Sequence, residues 1–234
     1  AAIAAGVYSA LVLRNGIGSL MMLPIWLHSG GRRPGPEVLK VHALRSAVVA
    51  AMAVLFFWGL VRVPIAEAIA LSFIAPLIAL YLAAALLGEK VQPKAIIASL
   101  LGLAGVVVIA AARLSASALD AQSAWGIAAV LSSAVLYAWN LVLQRQQAQL
   151  ASPQEIAFFQ NLFVAAILGL AAPWLLHWPE PAALIQITFA AALAGTALLL
   201  LSWAYARAEA QVLLPVEYTG FIWAALFGWL MFDE

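Results

Sequence analysis

Two ionisable side chains fall where charge is least expected. Arg14 and Glu217 each sit seven residues into an apolar stretch, the first in residues 7–27 and the second in residues 210–232. A short carboxylate held away from bulk water can pair with a cation, stay protonated, or line a wet cavity and pass a proton through it. A guanidinium in the same setting can face a cavity, or reach back along its stem to the lipid headgroups. Arg14 and Glu217 could also neutralise each other. Tyr218, Trp139, Tyr137 and Trp223 could wall a binding cavity, and Asn161, Asn140, Asn15, Gln160 and Gln144 could hydrogen-bond a solute. Each has a plainer reading. Aromatic rings also form interfacial belts, and amides also join helix to helix for about 1 kcal/mol or less. Tyr218, next to Glu217, is the aromatic that position favours.

The elements that must position these groups follow from composition. Hydrophobic residues make up 66% of the 234-residue chain and charged residues 9%, with a mean hydropathy of +1.04; a soluble domain averages about 45–50% apolar and about 25% charged. Too few charges remain to build a water-facing surface. Runs without Asp, Glu, Lys or Arg cover residues 68–88, 95–112, 121–144, 156–179 and 181–206. Each is close to the roughly 20 residues an α-helix needs to cross a hydrocarbon core about 30 Å thick. Lipid offers no partner to a bare N–H or C=O, and period-2 alternation is absent, so the segments are helices rather than barrel strands. Eight spans are expected, at 7–27, 46–63, 64–88, 95–112, 124–143, 156–176, 182–206 and 210–232. The class is all-α integral membrane.

Net charge is +1 and there is no cysteine. The first value argues against a nucleic-acid partner, which needs a clustered basic surface; the second excludes disulfides, thiolate metal sites and a cysteine nucleophile. His28 and His177 end spans without a second ligand at metal spacing, so neither metal nor cofactor is expected. No Gly-x-Ser-x-Gly, His-Glu-x-x-His or paired-Asp motif marks an intramembrane enzyme. Basic residues set orientation. Arg32, Arg33, Lys40, Arg45, Lys90, Lys94, Arg145 and Arg207 fall in one set of alternate loops, against Arg62 and Arg113 in the other, which makes the first set cytoplasmic.

The chain also repeats itself. Trp58 and Arg62 return as Trp203 and Arg207, and the Gly88-Glu89 corner as Asp233-Glu234, all 145 positions on. Asn15 returns as Asn161, 146 on, and Pro24 to His28 as Pro173 to His177, 149 on. Five spans separate equivalent landmarks. That number is odd, so the second copy must be inverted relative to the first. In both copies the tryptophan and arginine lie one helical turn apart, suited to a membrane-surface anchor. Residues 1–112 are read as a first repeat, 113–123 as a linker and 124–234 as a second repeat. Neither copy is whole by this count: the first lacks a counterpart to 124–143 and the second a counterpart to 95–112, as if a ten-helix parent had lost one helix at each end.

The stretch Pro64 to Pro76 (PIAEAIALSFIAP), closing on Leu86-Leu87-Gly88-Glu89, and the stretch Pro215 to Trp223 (PVEYTGFIW), closing on Phe232-Asp233-Glu234, resemble the fourth- and ninth-helix signatures of EamA-type members of the drug/metabolite transporter superfamily, with Asp233 where that family usually has Gly. The resemblance covers nearly the whole chain. It implies two inverted five-helix repeats around a central cavity. It also implies a secondary transporter, by family habit often an exporter, of amino acids or related small metabolites, lodged in a bacterial inner membrane. A homodimer stays open, as do a channel and a non-transporting membrane subunit; an inverted repeat argues for a carrier over both.

Overall fold

The computed structural model describes residues 6–88, 90–111, 121–220, 222, 223 and 226. Arg113, most of the 113–123 linker, Glu89, Asp233 and Glu234 lie outside them. The helices are α1 (Val7–His28), α2 (Pro36–Leu60), α3 (Ile65–Ser72), α4 (Ala75–Leu87), α5 (Pro93–Ala111), α6 (Ala121–Leu150), α7 (Pro153–Gly169), α8 (Ala172–Leu175), α9 (Pro181–Arg207) and α10 (Ala210–Leu213), followed by a 3₁₀ turn at Leu214–Tyr218. Among the described residues there is no strand, and five segments are long and apolar enough to cross a membrane: Val7–His28, Pro36–Leu60, Glu67–Leu87, Ala121–Leu150 and Pro181–Arg207.

Over the described residues every expected span is helical, but five are cut differently, the sixth by a break at Leu170 and Ala171 between α7 and α8. The second begins at Pro36 rather than 46, because a charge-free criterion rejects Lys40 and Arg45 although both lie on the helix. The fifth runs on to Leu150 through a glutamine-rich tail. The third is two helices, α3 and α4, joined at Phe73 and Ile74; Pro76 has no N–H to give to Ser72, and Ile74 donates instead to the Leu71 carbonyl at 3.3 Å, an i→i+3 bond. The eighth tightens into the 3₁₀ turn at Leu214–Tyr218, with Pro215 in its first turn. α4 ends on Gly88, whose φ of 69° is the left-handed conformation that favours glycine.

The chain divides into two compact units, one of Ala1–Ala50 with Leu143–Arg207 and one of Ala51–Val142 with Ala208–Glu234. In the first, α1 packs on α7 and α9. Met22, Ala157, Phe158 and Phe159 form its core, and Trp26 stacks on Phe158 at 4.9 Å while meeting Phe159 edge-on at 5.4 Å. α9 shows the logic of a lipid-facing helix. Its buried positions are mostly small, among them Ala183, Ala191, Gly195 and Ser202, whereas Ile185, Phe189, Leu193 and Leu200 point outward. Lipid is as apolar as leucine, so nothing drives large side chains inward, and small residues let backbones close on one another. A methyl group on Gly195 would sit 2.9 Å from the Met22 Sδ-methyl carbon.

In the second unit, Val63, Ala68 and Val130 form a core with Phe56, Leu60, Leu71 and Ile127 against it. α2 and α6 cross at two glycines. A methyl on Gly59 would lie 2.6 Å from Val130 Cγ2 and 2.9 Å from the Gly126 carbonyl, and one on Gly126 would lie 2.7 Å from Arg62 Cβ. Ser133 on α6 donates to the Met52 carbonyl on α2 at 2.9 Å. α5 and α4 both pack on the 3₁₀ turn, which fixes the place of Glu217.

Candidate functional site

The site grows from the two tightened helices. The repeat interval of 145 residues sets Ser72 opposite Glu217 and Phe73 opposite Tyr218, so the i→i+3 turn after α3 and the 3₁₀ turn after α10 are equivalent features of the two copies. They meet within the second unit. Phe73 and Tyr218 stack on each other with ring centroids 5.7 Å apart and planes 21° from parallel, a contact between a residue and its own repeat counterpart. Beside the stack is a cavity of about 130 Å³ lined by Ser72, Phe73, Pro76, Tyr137 and Glu217. 3₁₀ segments inside longer helices often mark functional points.

Tyr137, from the middle of α6, donates its hydroxyl to Glu217 Oε2 at 2.8 Å. Glu217 forms no ion pair within its unit among the described residues. Tyr218 is buried, and its hydroxyl has no hydrogen-bond partner among the described residues; such an orphan in a native fold calls for an explanation by water or ligand. Of the residues singled out from sequence, Glu217, Tyr218 and Tyr137 are thus brought together. Ser72 and Phe73 were missed, although the 145-residue interval applied to Glu217 and Tyr218 finds both.

The remaining candidates are placed elsewhere. Asn140 is buried and Trp139 half-buried on α6. In the first unit, Arg14 is half-buried and has no ion pair among the described residues of that unit. Asn161 is buried but donates Nδ2 to the Ala157 carbonyl of its own helix at 2.7 Å, and its Oδ1 lies 2.7 Å from where a methyl on Gly18 would be. Asn15 likewise donates to the Leu11 carbonyl at 2.8 Å. Trp58 with Arg62 and Trp203 with Arg207 form the cation–π pairs that their spacing predicts, the guanidinium carbons 3.5 and 4.4 Å from the ring centroids.

A second polar cluster, in the first unit, was not foreseen. Arg45 is 3% exposed; its Nη1 donates to Gln147 Oε1 at 2.6 Å and its Nη2 to Gln144 Oε1 at 3.0 Å. Fully buried His42 lies 2.5 Å through Nδ1 from Gln147 Nε2 and 3.1 Å through Nε2 from Glu155 Oε1. Ser152 caps α7 by accepting from the Glu155 N–H at 3.2 Å, with Pro153 at the first helical position, and this start sets where the Glu155 carboxylate lies. His42 and Arg45 share a face of α2, and Gln144 and Gln147 share a face of α6, by their i,i+3 spacing. Of the five, only Gln144 was a candidate from sequence, and Arg45 was expected in a loop. A buried guanidinium held by two glutamine oxygens reads as structural scaffolding; a carboxylate beside a cavity reads as a site.

The comparisons with known proteins bear on the family and the fold. Over 190 residues the chain is 28% identical to an uncharacterized transporter of Helicobacter pylori, a match that covers 80% of this chain and 63% of that protein. It is 33% identical to a probable terminal-alkyne amino-acid exporter of Streptantibioticus cattleyicolor, covering 78% of this chain and 61% of that one. The chain thus spans less than two thirds of the length of either relative. One crystal structure superposes with a TM-score of 0.83 over 95% of this chain and 79% of its own, at 22% identity, a likeness of fold. A model of the EamA-like transporter family matches residues 3–111 and again residues 124–234. Two matches to one family model, with the apolar helices that carry them, establish an integral membrane protein of the transporter class, and the chain belongs to the EamA-like transporter family.

Proposed function

We propose that the protein is a secondary carrier that exports small metabolites, amino acids or related compounds, by alternating access across a bacterial inner membrane, and that the cavity beside Glu217 is where its solute binds. One observation carries the reading: the tightened turns of two repeat-equivalent helices meet at Phe73 and Tyr218, and the cavity opens beside them. In carriers built from inverted repeats the solute sits where discontinuous helices of the two copies face each other, since only there is irregular backbone tolerated at membrane depth. The direction, and amino acids as cargo, are supported by the name of the Streptantibioticus relative. Glu217, Tyr218, Tyr137, Ser72 and Phe73 are assigned to the site, with Asn140 and Trp139 nearby on α6, and Arg14 assigned to coupling.

The test is counterflow in proteoliposomes holding the full-length protein, with a panel of labelled amino acids outside and the unlabelled compound inside. A carrier gives saturable uptake that the internal compound accelerates. Uptake that is linear in concentration and indifferent to internal solute would make the protein a channel, and absence of protein-dependent flux for every compound would leave a structural subunit.

A further inference from the structure

Not every polar group in the first unit is matched. Gln160 is only 5% exposed, yet neither its amide nitrogen nor its amide oxygen has a hydrogen-bond partner among the described residues. The Ser46 hydroxyl and the Gln144 amide nitrogen are buried and unpartnered in the same way. Helical hydroxyls elsewhere in the chain avoid this. Ser72, Ser132, Thr188 and Thr196 each donate to the carbonyl four residues back, a bond that Ser46 does not make to His42.

Two of these groups face each other. His42 stacks on Phe159 at 5.1 Å and Ala50 clusters with Val164 and Leu168, so α2 and α7 run side by side between those contacts. Ser46 lies one turn from both His42 and Ala50, and Gln160 lies one turn before Val164 and beside Phe159. Each therefore turns toward the other helix at about the same height. Arg45, next to Ser46, holds Gln144 by its oxygen at 3.0 Å, which leaves the nitrogen as the unmatched end of that amide. The place is well inside. Gln160 is seven residues into α7, about 10 Å along the axis at roughly 1.5 Å per residue, in a run without charged residues.

We infer that this is a hydration site: at least one ordered water lies between α2 and α7, bonded to the Gln160 amide and the Ser46 hydroxyl, beside the Arg45 cluster. The groups themselves select the ligand. Amide nitrogens require an acceptor, the Gln160 oxygen requires a donor, and water is both. A metal cation would meet N–H donors, and an anion would leave the oxygen unmet. Water also commonly fills such places, making about three hydrogen bonds to buried groups that the protein leaves unpaired. So α2 and α7 are joined at one level by the direct contact of His42 with Glu155, and at the next by a molecule that exchanges. The site is independent of whatever solute the protein carries.

Gln147 supplies an internal control, because it is as buried as Gln160 and both of its polar atoms are engaged, by Arg45 and His42. Full-length protein carrying glutamine labelled with heavy nitrogen is placed in lipid nanodiscs, and magnetisation transfer from water to the side-chain amides is read by solid-state NMR. Transfer should appear at Gln160 and be lost at Gln147. No transfer to Gln160, or equal transfer to both, overturns the site. Gln160→Leu and Ser46→Ala give a second reading. Were the amide dry, leucine would relieve an unpaired polar group and raise melting; with a shared water, each variant should melt about 2–4 °C lower. The double variant should then lose no more than the worse single one, because both act through the same water. Unchanged or higher melting in Gln160→Leu overturns the site, and so do strictly additive losses.

Discussion

Two polar centres, one in each compact unit, use the same side-chain vocabulary to opposite ends. Around Arg45 the guanidinium meets two glutamine oxygens, and Gln147 is shared between Arg45 and His42, which in turn meets Glu155. Around Glu217, among the described residues of its unit, one tyrosine hydroxyl touches the carboxylate, and a cavity lies beside it. A buried charge surrounded by partners is held still, and removing a partner strands it. A half-buried carboxylate beside a cavity still has capacity for something that arrives. The first centre should therefore govern stability and the second should govern flux.

The sharpest way to break that contrast is Gln147→Leu, which takes an acceptor from a buried guanidinium and a partner from His42. We expect a loss of about 2–3 kcal/mol, since hydrogen bonds to charged groups are the costly ones to leave unmade, with flux per folded molecule unchanged. Denaturation in detergent alongside counterflow checks both halves, and a flux defect with normal stability would move the site into the first unit. Glu217→Gln should do the reverse. It keeps shape and volume but loses the charge, so flux should fall about tenfold to a hundredfold, the equivalent of one charge-assisted contact, while melting shifts little. Wild-type flux in this variant would make the carboxylate a passenger.

Substitutions that only crowd helices should not discriminate between the units. Gly18→Ala presses on the Asn161 side chain and Gly126→Ala on Arg62 Cβ and Val63 Cγ1; each should cost about 1–3 kcal/mol by overpacking. A marked flux effect from either, beyond the fraction misfolded, would count against treating these crossings as packing alone. Smallest of all, Tyr137→Phe removes one neutral donor and should cost about 1 kcal/mol of binding. That is roughly a fivefold rise in the half-saturating concentration of the transported compound, with an unchanged maximal rate.

The fold was legible because lipid makes composition decisive: a charge-free run of about 20 residues has few alternatives to a helix. The same criterion misled at α2. Reading charge as exposure puts Lys40 and Arg45 in a loop, whereas Arg45 is tucked against Gln144 and Gln147. The missed signal was local: His42 with Arg45, and Gln144 with Gln147, each three apart on a continuous helix. At the candidate site, Glu217 was found by its isolation and Tyr218 by adjacency. Ser72 and Phe73, being ordinary in type, could be found only by carrying the 145-residue interval across from the second copy. Asn15 and Asn161, which the repeat brings to notice, each place one amide hydrogen bond on their own helix.

The stack of Phe73 on Tyr218 bears on ancestry. In an assembly of two identical chains, a residue at this meeting point would face its own duplicate, and a glutamate would face a second glutamate. Two ionised carboxylates confined so closely repel, and one of them would be forced to take up a proton. Joining the two copies into one polypeptide lifts that constraint, because Ser72 and Glu217 can then drift apart in chemistry while Phe73 and Tyr218 keep the contact. A lone negative charge opposite Ser72 is open to two copies that differ in sequence and closed to two identical chains.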